Sequence, residues 1–277
     1  MSRPDLLPHV VETVVAEFRR RVDAERAPAL RGLYLVGSVA LDDFRPGASD
    51  IDVIAVVDAK PSTEACEDLA RVHAGLAEAG GPCLDGPYLV AEALRQVPTD
   101  YAVVPFSLEG RFRHGEVCRE VNPVVWRCLA RHGRTVLGPP PAELGIADDD
   151  AVLRAYQVDN LRGYWLSWIA QAEAACAAKA PGEDASAAAL AWGVLGVARI
   201  VCALDTDAVV SKSGGGRYAL SAHSDRWHPV IREALAAHGG ATTRVQVETV
   251  REGLGYMRSV IAAATDPHAA ARERQPP

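Results

Sequence analysis

Residues 34–57, YLVGSVALDDFRPGASDIDVIAVV, constrain the fold more than any other part of the chain. They cover two short apolar runs, residues 32–36 and Ile51–Val57, which predict buried strands. A Gly-Ser pair follows the first run, and an Asp-Ile-Asp triplet opens the second. Strands this close together, followed by helical and strand-like segments, predict a small α/β domain with a mixed sheet.

Asp50 and Asp52 stand two residues apart at the start of the second predicted strand. Side chains two apart on a strand share one face, so both carboxylates face one way while Ile51 points into the core. Adjacent carboxylates repel each other unless a cation is shared between them, and hard oxygen ligands suit Mg²⁺. The triplet therefore predicts a Mg²⁺ site, although an Asp-x-Asp triplet alone is common on protein surfaces.

Gly37 and Ser38 lie between the two strands, where the next helix is expected to begin. Glycine allows the backbone to approach a phosphate closely, and Ser38 offers a hydroxyl and an N–H at a helix start, where anions are favoured. A Gly-Ser pair alone has no specificity. Combined with the aspartates it indicates a site for a phosphate and a metal.

The rest of the first 138 residues alternates between helical and strand patterns. Apolar spacing, caps and turn residues predict helices over residues 6–26, 62–78 and 117–132, and strands over Leu84–Val90 and residues 101–106.

The chain changes character after the Gly-Pro-Pro-Pro run at residues 138–141, which predicts a boundary between domains 1–138 and 139–277. Helical patterns follow over residues 151–178, 187–204, 225–237 and 242–264, and a polar tail over 266–277. We therefore expect the α+β class, with a small mixed-sheet domain followed by an α-helical bundle.

The charge balance narrows the possible partners. A net charge of −7 and a pI near 5.6 argue against general affinity for nucleic acid, and an acidic protein attracts polycationic small molecules. No leader or membrane-spanning pattern is expected, and the six scattered cysteines suggest buried thiols in a reducing cytoplasm. We expect a cytoplasmic protein with no membrane or nucleic-acid partner.

The segment 34–57 resembles the nucleotidyltransferase superfamily that includes DNA polymerase β and the antibiotic nucleotidyltransferases. The whole chain is similar to the bacterial aminoglycoside 3″-adenylyltransferases, which act on streptomycin and spectinomycin. The resemblance implies a monomer with Mg²⁺ as cofactor that transfers AMP from ATP to a hydroxyl of a small molecule. It also implies that Gly37, Ser38 and Ser49 bind ATP. Ser49 is included because it is the serine of the family's Ser-Asp-Ile-Asp motif.

The family uses a third carboxylate on a neighbouring strand, and its position falls on Asp85. The family residue is a glutamate that removes the acceptor's proton. Because aspartate reaches one methylene less far, Asp85 is either that base or a third metal ligand beside Asp50 and Asp52. Glu92, on the same segment, is the alternative candidate for the base.

The resemblance continues beyond the predicted boundary. Arg199 and Lys212 match an arginine and a lysine that, in the family, reach across the interdomain cleft to the triphosphate. A guanidinium and a flexible ammonium suit phosphate binding. The alternatives are a structural ion pair for Arg199 and an exposed loop lysine for Lys212. Glycines 214–216 are expected to form a tight turn into the next helix.

The acceptor side departs from the family. Its acidic and histidine positions fall on Ala189 and Trp192, and its first-domain tryptophan falls near Val117. Aromatic and acidic side chains elsewhere could replace them: Trp165, Trp168, Trp192, Glu116, Asp159 and Glu173. The helical spacing of Trp165 and Trp168, however, favours a place in the core for these two.

Three functions follow from these patterns. The leading one is adenylyl transfer from ATP to an aminoglycoside or aminocyclitol. The second is nucleotidyl transfer to a different small molecule or to a protein, because the family's acceptor residues are missing. The third is a catalytically silent nucleotide-binding protein, which the intact aspartate pair disfavours.

Overall fold

The computed structural model describes residues 7–25 and 27–266, and the chain divides into two compact units, residues 1–152 and 153–277. Each unit has its own apolar core. The first contains a mixed sheet and the second is helical, so the predicted α+β class and its order are confirmed. The ends of the first predicted helix, Leu6 and Arg26, and tail residues 267–277 lie outside the described residues.

The strands of the first unit are β1 Leu30–Leu35, β2 Ile51–Val57, β3 Leu84–Val90, β4 Ala102–Val103, β5 Phe106–Leu108, β6 Arg111–Arg113, β7 Val117–Cys118 and β8 Arg134–Leu137. Six of them form a sheet in the order β6-β5-β3-β2-β1-β8 at the centre of the unit. Strands β2 and β3 are parallel, and every other neighbouring pair in this sheet is antiparallel. A separate antiparallel pair joins β4 to β7.

Helices α1 (His9–Ala24) and α3 (Thr63–Ala79) contribute the core that covers β1, β2 and β3. Their apolar faces bury Phe18 and Leu69 completely in the same cluster as Ile51. The Ser62 hydroxyl caps α3 by accepting a hydrogen bond from the Ala65 N–H. The predicted strands over Ile51–Val57 and Leu84–Val90 have the predicted bounds, because turn residues precede each of them, and Pro87 lies within the second strand without ending it.

Two predicted elements of the first unit were wrong. The strand expected over residues 101–106 is divided into β4 and β5, because Pro105 between them has no N–H to donate to a ladder. The helix expected from residue 117 begins later, as α4 Pro123–His132, with the Asn122 side chain accepting two backbone N–H bonds at its start. Strands β6 and β8 were not predicted, since three or four residues carry too little periodicity.

The segment after β8 stays with the first unit, and the division falls within α5 (Asp150–Asn160), beyond the predicted boundary at 138/139. The fully buried Arg127 guanidinium of α4 forms ion pairs with Asp148 and, at 2.6 Å, with Asp150. The Ala147 N–H also donates to the Leu94 carbonyl at 2.9 Å. These bonds hold residues 147–150 to the first unit.

The helices of the second unit that follow α5 are α6 Leu166–Ala177, α7 Ala187–Thr206, α8 Lys212–Ala222, α9 His228–His238 and α10 Val247–Thr265. The unit is built around α7, which packs against α8, α9 and α10. By length and composition α7 could cross a membrane, but most of it is buried inside this unit, which accounts for its apolar sequence. One turn of π-helix, Leu161–Trp165, separates α5 from α6. A short pair, β9 (Asp184–Ser186) with β10 (Arg244–Gln246), completes the unit.

The turn predicted at glycines 214–216 is also wrong, because these residues lie inside α8, which already begins at Lys212. Ser211 caps the helix by accepting a hydrogen bond from the Gly214 N–H at 3.0 Å. A Cβ atom on Gly215 would lie 2.6 Å from the backbone nitrogen of Arg199. The glycines therefore allow α8 to approach α7 closely rather than reverse the chain.

Candidate active site

The predicted carboxylates meet where β2 and β3 begin. In the parallel register Asp52 is paired with Asp85, and Ile51 with Leu84. Ile51 is fully buried, whereas Asp50 is exposed and Asp52 is partly exposed. This alternation agrees with the expectation that both aspartates share the face opposite the core. Asp50, Asp52 and Asp85 thus lie at one edge of the sheet, on two neighbouring strands.

Gly37 opens the four-residue helix α2 (Gly37–Ala40) and lies against the Asp52 carboxylate. A Cβ atom at Gly37 would be 1.9 Å from an Asp52 oxygen, and its φ of +56° is one that other residues rarely adopt. The backbone N–H of Val36 also donates to the Asp52 carbonyl at 2.9 Å. The glycine therefore provides the space in which the carboxylate sits.

The two serines differ in their hydrogen bonding. Within the described residues, the buried Ser38 hydroxyl has no hydrogen-bond partner, which is uncommon for a buried polar atom and leaves it available to a ligand oxygen. The Ser49 hydroxyl accepts a bond from the Arg45 N–H at 3.1 Å. Its own O–H proton can still be donated.

Asp85 is a buried carboxylate held by the hairpin that joins β5 and β6. It accepts hydrogen bonds from the Ser107 hydroxyl at 3.1 Å and from the backbone N–H groups of Glu109 at 2.7 Å and Gly110 at 3.1 Å. Three of the roughly four lone-pair positions on a carboxylate are thus occupied. These bonds fix the direction in which Asp85 points and leave one position open.

Asp50 and Asp85 form a cluster with Cys83, which we did not predict as a site residue. Its sulfur and one carboxylate oxygen each from Asp50 and Asp85 lie within 4.8 Å of one another. Burial raises the pKa of the Cys83 thiol, and the charges of Asp85 and Asp50 raise it further. The available signal was the spacing, since Cys83 precedes Asp85 by two residues and shares its face of the strand.

These residues fit a divalent cation. Carboxylate oxygens from neighbouring strands converge, one carboxylate is oriented by N–H donors, and an unpartnered serine hydroxyl lies next to the glycine that contacts Asp52. Mg²⁺ is bound in proteins by one or two carboxylates together with phosphate oxygens and water. The chain thus offers the oxygen donors that Mg²⁺ requires.

Arg199 and Lys212 are neighbours in the second unit. Arg199 is a partly buried residue of α7, and α8, which Lys212 opens, packs against it through Gly215. The Lys212 ammonium lies 4.7 Å from the centre of the Trp192 ring, a cation–π distance. Trp192 precedes Arg199 by two helical turns on α7, so the three residues share one side of the unit.

The tryptophans have different roles. Trp165 is almost fully buried, and Trp168 packs against the core, as helical spacing suggested. Trp192 is 40% exposed, and its indole N–H donates to the hydroxyl of Tyr164, which is 46% exposed, at 3.3 Å. Tyr164 was not predicted from the sequence, because it lies in the π-helical turn, where the 3.6-residue period is broken.

Most of the acidic residues considered for the acceptor are engaged elsewhere. Glu173 forms a two-bond ion pair with Arg258, and Glu116 lies 3.6 Å from Arg113. Glu92 is in the 3-10 turn that follows β3, outside the carboxylate cluster.

Comparison with known proteins gives matches in both units. Residues 15–106 match the family model of the nucleotidyltransferase domain, and residues 167–259 match that of the aminoglycoside adenylyltransferase C-terminal domain. No curated protein sequence matches the chain. Among solved structures, the spectinomycin adenyltransferase AAD(9) from Enterococcus faecialis, crystallised with ATP and spectinomycin, has a similar fold at 12% identity, with a TM-score of 0.66. The alignment covers 90% of this chain and 98% of that one.

The first family model spans Gly37, both serines and Asp50, Asp52 and Asp85, and the second spans Trp192, Arg199 and Lys212. The order of the two domains is the one predicted from the sequence. The chain therefore combines a nucleotidyltransferase domain with a C-terminal domain of the aminoglycoside adenylyltransferase type.

Proposed function

We propose that the protein transfers AMP from ATP to a hydroxyl group of an aminoglycoside or aminocyclitol, with Mg²⁺ as cofactor and pyrophosphate as the second product. The convergence of the Asp50 and Asp85 carboxylates, with Asp52 paired to Asp85 in the β2–β3 register, carries this proposal. The similar AAD(9) enzyme was crystallised with ATP and spectinomycin, which supports the choice of both substrates.

Asp50, Asp52 and Asp85 would hold the metal, which when bound supplies positive charge against the triphosphate. The convergence of Asp85 with Asp50, and its three hydrogen bonds, favour a ligand role for Asp85. The alternative role, removal of the acceptor's proton, predicts a pH-dependent rate that changes when Asp85 is replaced by glutamate.

The other predicted residues would bind ATP. Gly37, Ser38 and Ser49 offer N–H and O–H donors on the segment that leads to the aspartates. Arg199 and Lys212 would bind the phosphates and offset the charge that develops on the departing pyrophosphate.

Pyrophosphate release from Mg²⁺-ATP in the presence of a panel of aminoglycosides and aminocyclitols tests the proposal. We expect release with spectinomycin or streptomycin, and its loss in Asp50→Asn and Asp52→Asn. Asp58→Asn is the control, because Asp58 follows the same strand but pairs with Arg31. Wild-type turnover in either of the first two variants would refute the metal assignment.

A different small-molecule acceptor is the second candidate. It is favoured by the position of Lys212, whose ammonium lies over the exposed Trp192 ring and opposes a cationic acceptor there. If the panel gives no pyrophosphate while Mg²⁺-ATP still binds, a less cationic acceptor is the better explanation.

A further inference from the structure

Cys83 differs from the other five cysteines of the chain in its surroundings. It is half-buried, whereas Cys66, Cys118, Cys128, Cys176 and Cys202 are buried free thiols. It is also the cysteine found in the group of potential metal-binding side chains, with Asp50 and Asp85. An accessible thiol beside two carboxylates needs an explanation that packing alone does not supply.

The backbone determines this arrangement. The Ile51 N–H donates to the Cys83 carbonyl at 2.8 Å, so the first residues of β2 are tied to the residue that precedes β3. Cys83 and Asp85 are two apart along the same extended segment and therefore share a face. Strand pairing therefore places the backbone of Cys83 next to the start of β2, and its side-chain rotamer puts the sulfur beside Asp50.

The distances suit a metal that accepts sulfur. A tetrahedral Zn²⁺ with a Zn–S distance of about 2.3 Å and Zn–O distances of about 2.0 Å places its ligand atoms about 3.5 Å apart. The sulfur and oxygen atoms here lie within 4.8 Å of one another, so small side-chain rotations would bring them to that spacing. The hydrogen bonds from Ser107, Glu109 and Gly110 orient the Asp85 carboxylate, as outer partners of metal ligands commonly do.

We propose that Cys83, Asp50 and Asp85 form a binding site for Zn²⁺ and other divalent cations that accept sulfur, overlapping the site proposed for Mg²⁺. On binding, the thiol proton passes to solvent and the thiolate bonds to the cation. Mg²⁺ does not use sulfur ligands, so Cys83 distinguishes the two classes of metal. Occupancy by Zn²⁺ would exclude Mg²⁺ from Asp50 and Asp85 and inhibit transfer. The inference rests on the proposed metal site and not on the identity of the acceptor.

Cobalt titration of the full-length protein tests this directly, because Co²⁺ bound to a thiolate absorbs in the near ultraviolet by charge transfer from sulfur. We expect this band to saturate at one Co²⁺ per chain in the wild type. It should be absent in Cys83→Ser and Cys83→Ala. In Asp50→Asn, which keeps the sulfur, it should appear only at higher Co²⁺ concentration, with affinity reduced by at least about 10-fold.

Cys66→Ser is the matched control, since it removes a thiol of the same unit that lies outside the cluster, and it should keep the band. Circular dichroism checks that each variant is folded, and the two substitutions at Cys83 guard against failure of one to fold. No band in the wild type at saturating Co²⁺, or an unchanged band in a folded Cys83 variant, overturns the inference. Because the titration contains neither ATP nor acceptor, a band with no transferase activity would count against the proposed function alone.

Discussion

The Asp52 carboxylate occupies the space that a side chain at Gly37 would need. A Cβ atom there would lie 1.9 Å from a carboxylate oxygen and 2.7 Å from the carboxyl carbon. The contact joins the Gly-Ser turn to the aspartate pair, two features that are separate in the sequence. Gly37 therefore leaves space for the Asp52 carboxylate, whether or not a phosphate also approaches its backbone.

Gly37→Ala should therefore impair activity by displacing Asp52. We expect the rate of nucleotidyl transfer to fall by about 100-fold, the effect of a shift of about 1 Å in a catalytic group. Gly47→Ala is the matched control, because Gly47 also has a positive φ, of +78°, but no atom lies within 4 Å of its added Cβ. Equal losses in the two variants would show that backbone strain, and not the contact with Asp52, is responsible.

Asp85 should matter for stability as well as for activity. In Asp85→Asn an NH₂ group replaces one of the two oxygens that accept bonds from Ser107, Glu109 and Gly110. We expect the free energy of unfolding to fall by about 1–3 kcal/mol. The exposed Asp50→Asn should lose transfer with little change in stability. Urea unfolding monitored by circular dichroism separates the two, and unchanged stability in Asp85→Asn would contradict the prediction.

Trp192 should orient Lys212 for ATP. The ammonium lies 4.7 Å from the ring centre, and a partly exposed cation–π contact contributes about 0.5–1 kcal/mol. If Lys212 binds the triphosphate, Lys212→Ala should raise the KM for ATP strongly. Trp192→Ala should raise it by about 2–5-fold, the same energy expressed as a ratio, and Trp192→Phe by less. A KM for ATP that is unchanged in Lys212→Ala would refute the assignment of Lys212 to ATP.

His73 should make the first unit sensitive to acid. It is buried among Phe18, Phe112 and Tyr88, and its Nε2 lies 2.8 Å from the Tyr88 hydroxyl. Burial lowers the pKa of His73 from 6.5 to about 4. Between these two values the unfolded chain binds a proton that the folded chain does not, so stability decreases as the pH falls from about 6.5 towards 4.

Comparison with His73→Gln, which does not titrate, isolates this contribution. We expect the stability of the wild type relative to His73→Gln to fall by about 2 kcal/mol between pH 7 and pH 5, measured by urea unfolding. His9→Gln, at an exposed histidine of the same unit, serves as the control. An equal pH dependence in the wild type and His73→Gln would rule out His73 as the cause.

Local sequence predicted an element correctly where its apolar pattern matches the burial of its side chains in the fold. Strand β2 is apolar except for Asp52 and lies between turn residues, and the Asp50–Asp52 pair follows from period-2 geometry. Local pattern failed for β6 and β8, which are short and gain their structure from pairing with β5 and β1. It failed also for glycines 214–216, which are helical because α8 packs closely against α7.

The sequence alone determined the α+β order and the aspartate pair, because these depend on periodicity and on motifs within short segments, whereas Asp85 was indicated by the family resemblance. Tertiary structure decided what lies beside each residue. The parallel register of β2 and β3 brings Cys83 to Asp50, the packing of α2 places Gly37 against Asp52, and the approach of α8 to α7 sets Lys212 over Trp192. Contacts between segments distant in sequence depend on register and packing, and neither is encoded in a local pattern.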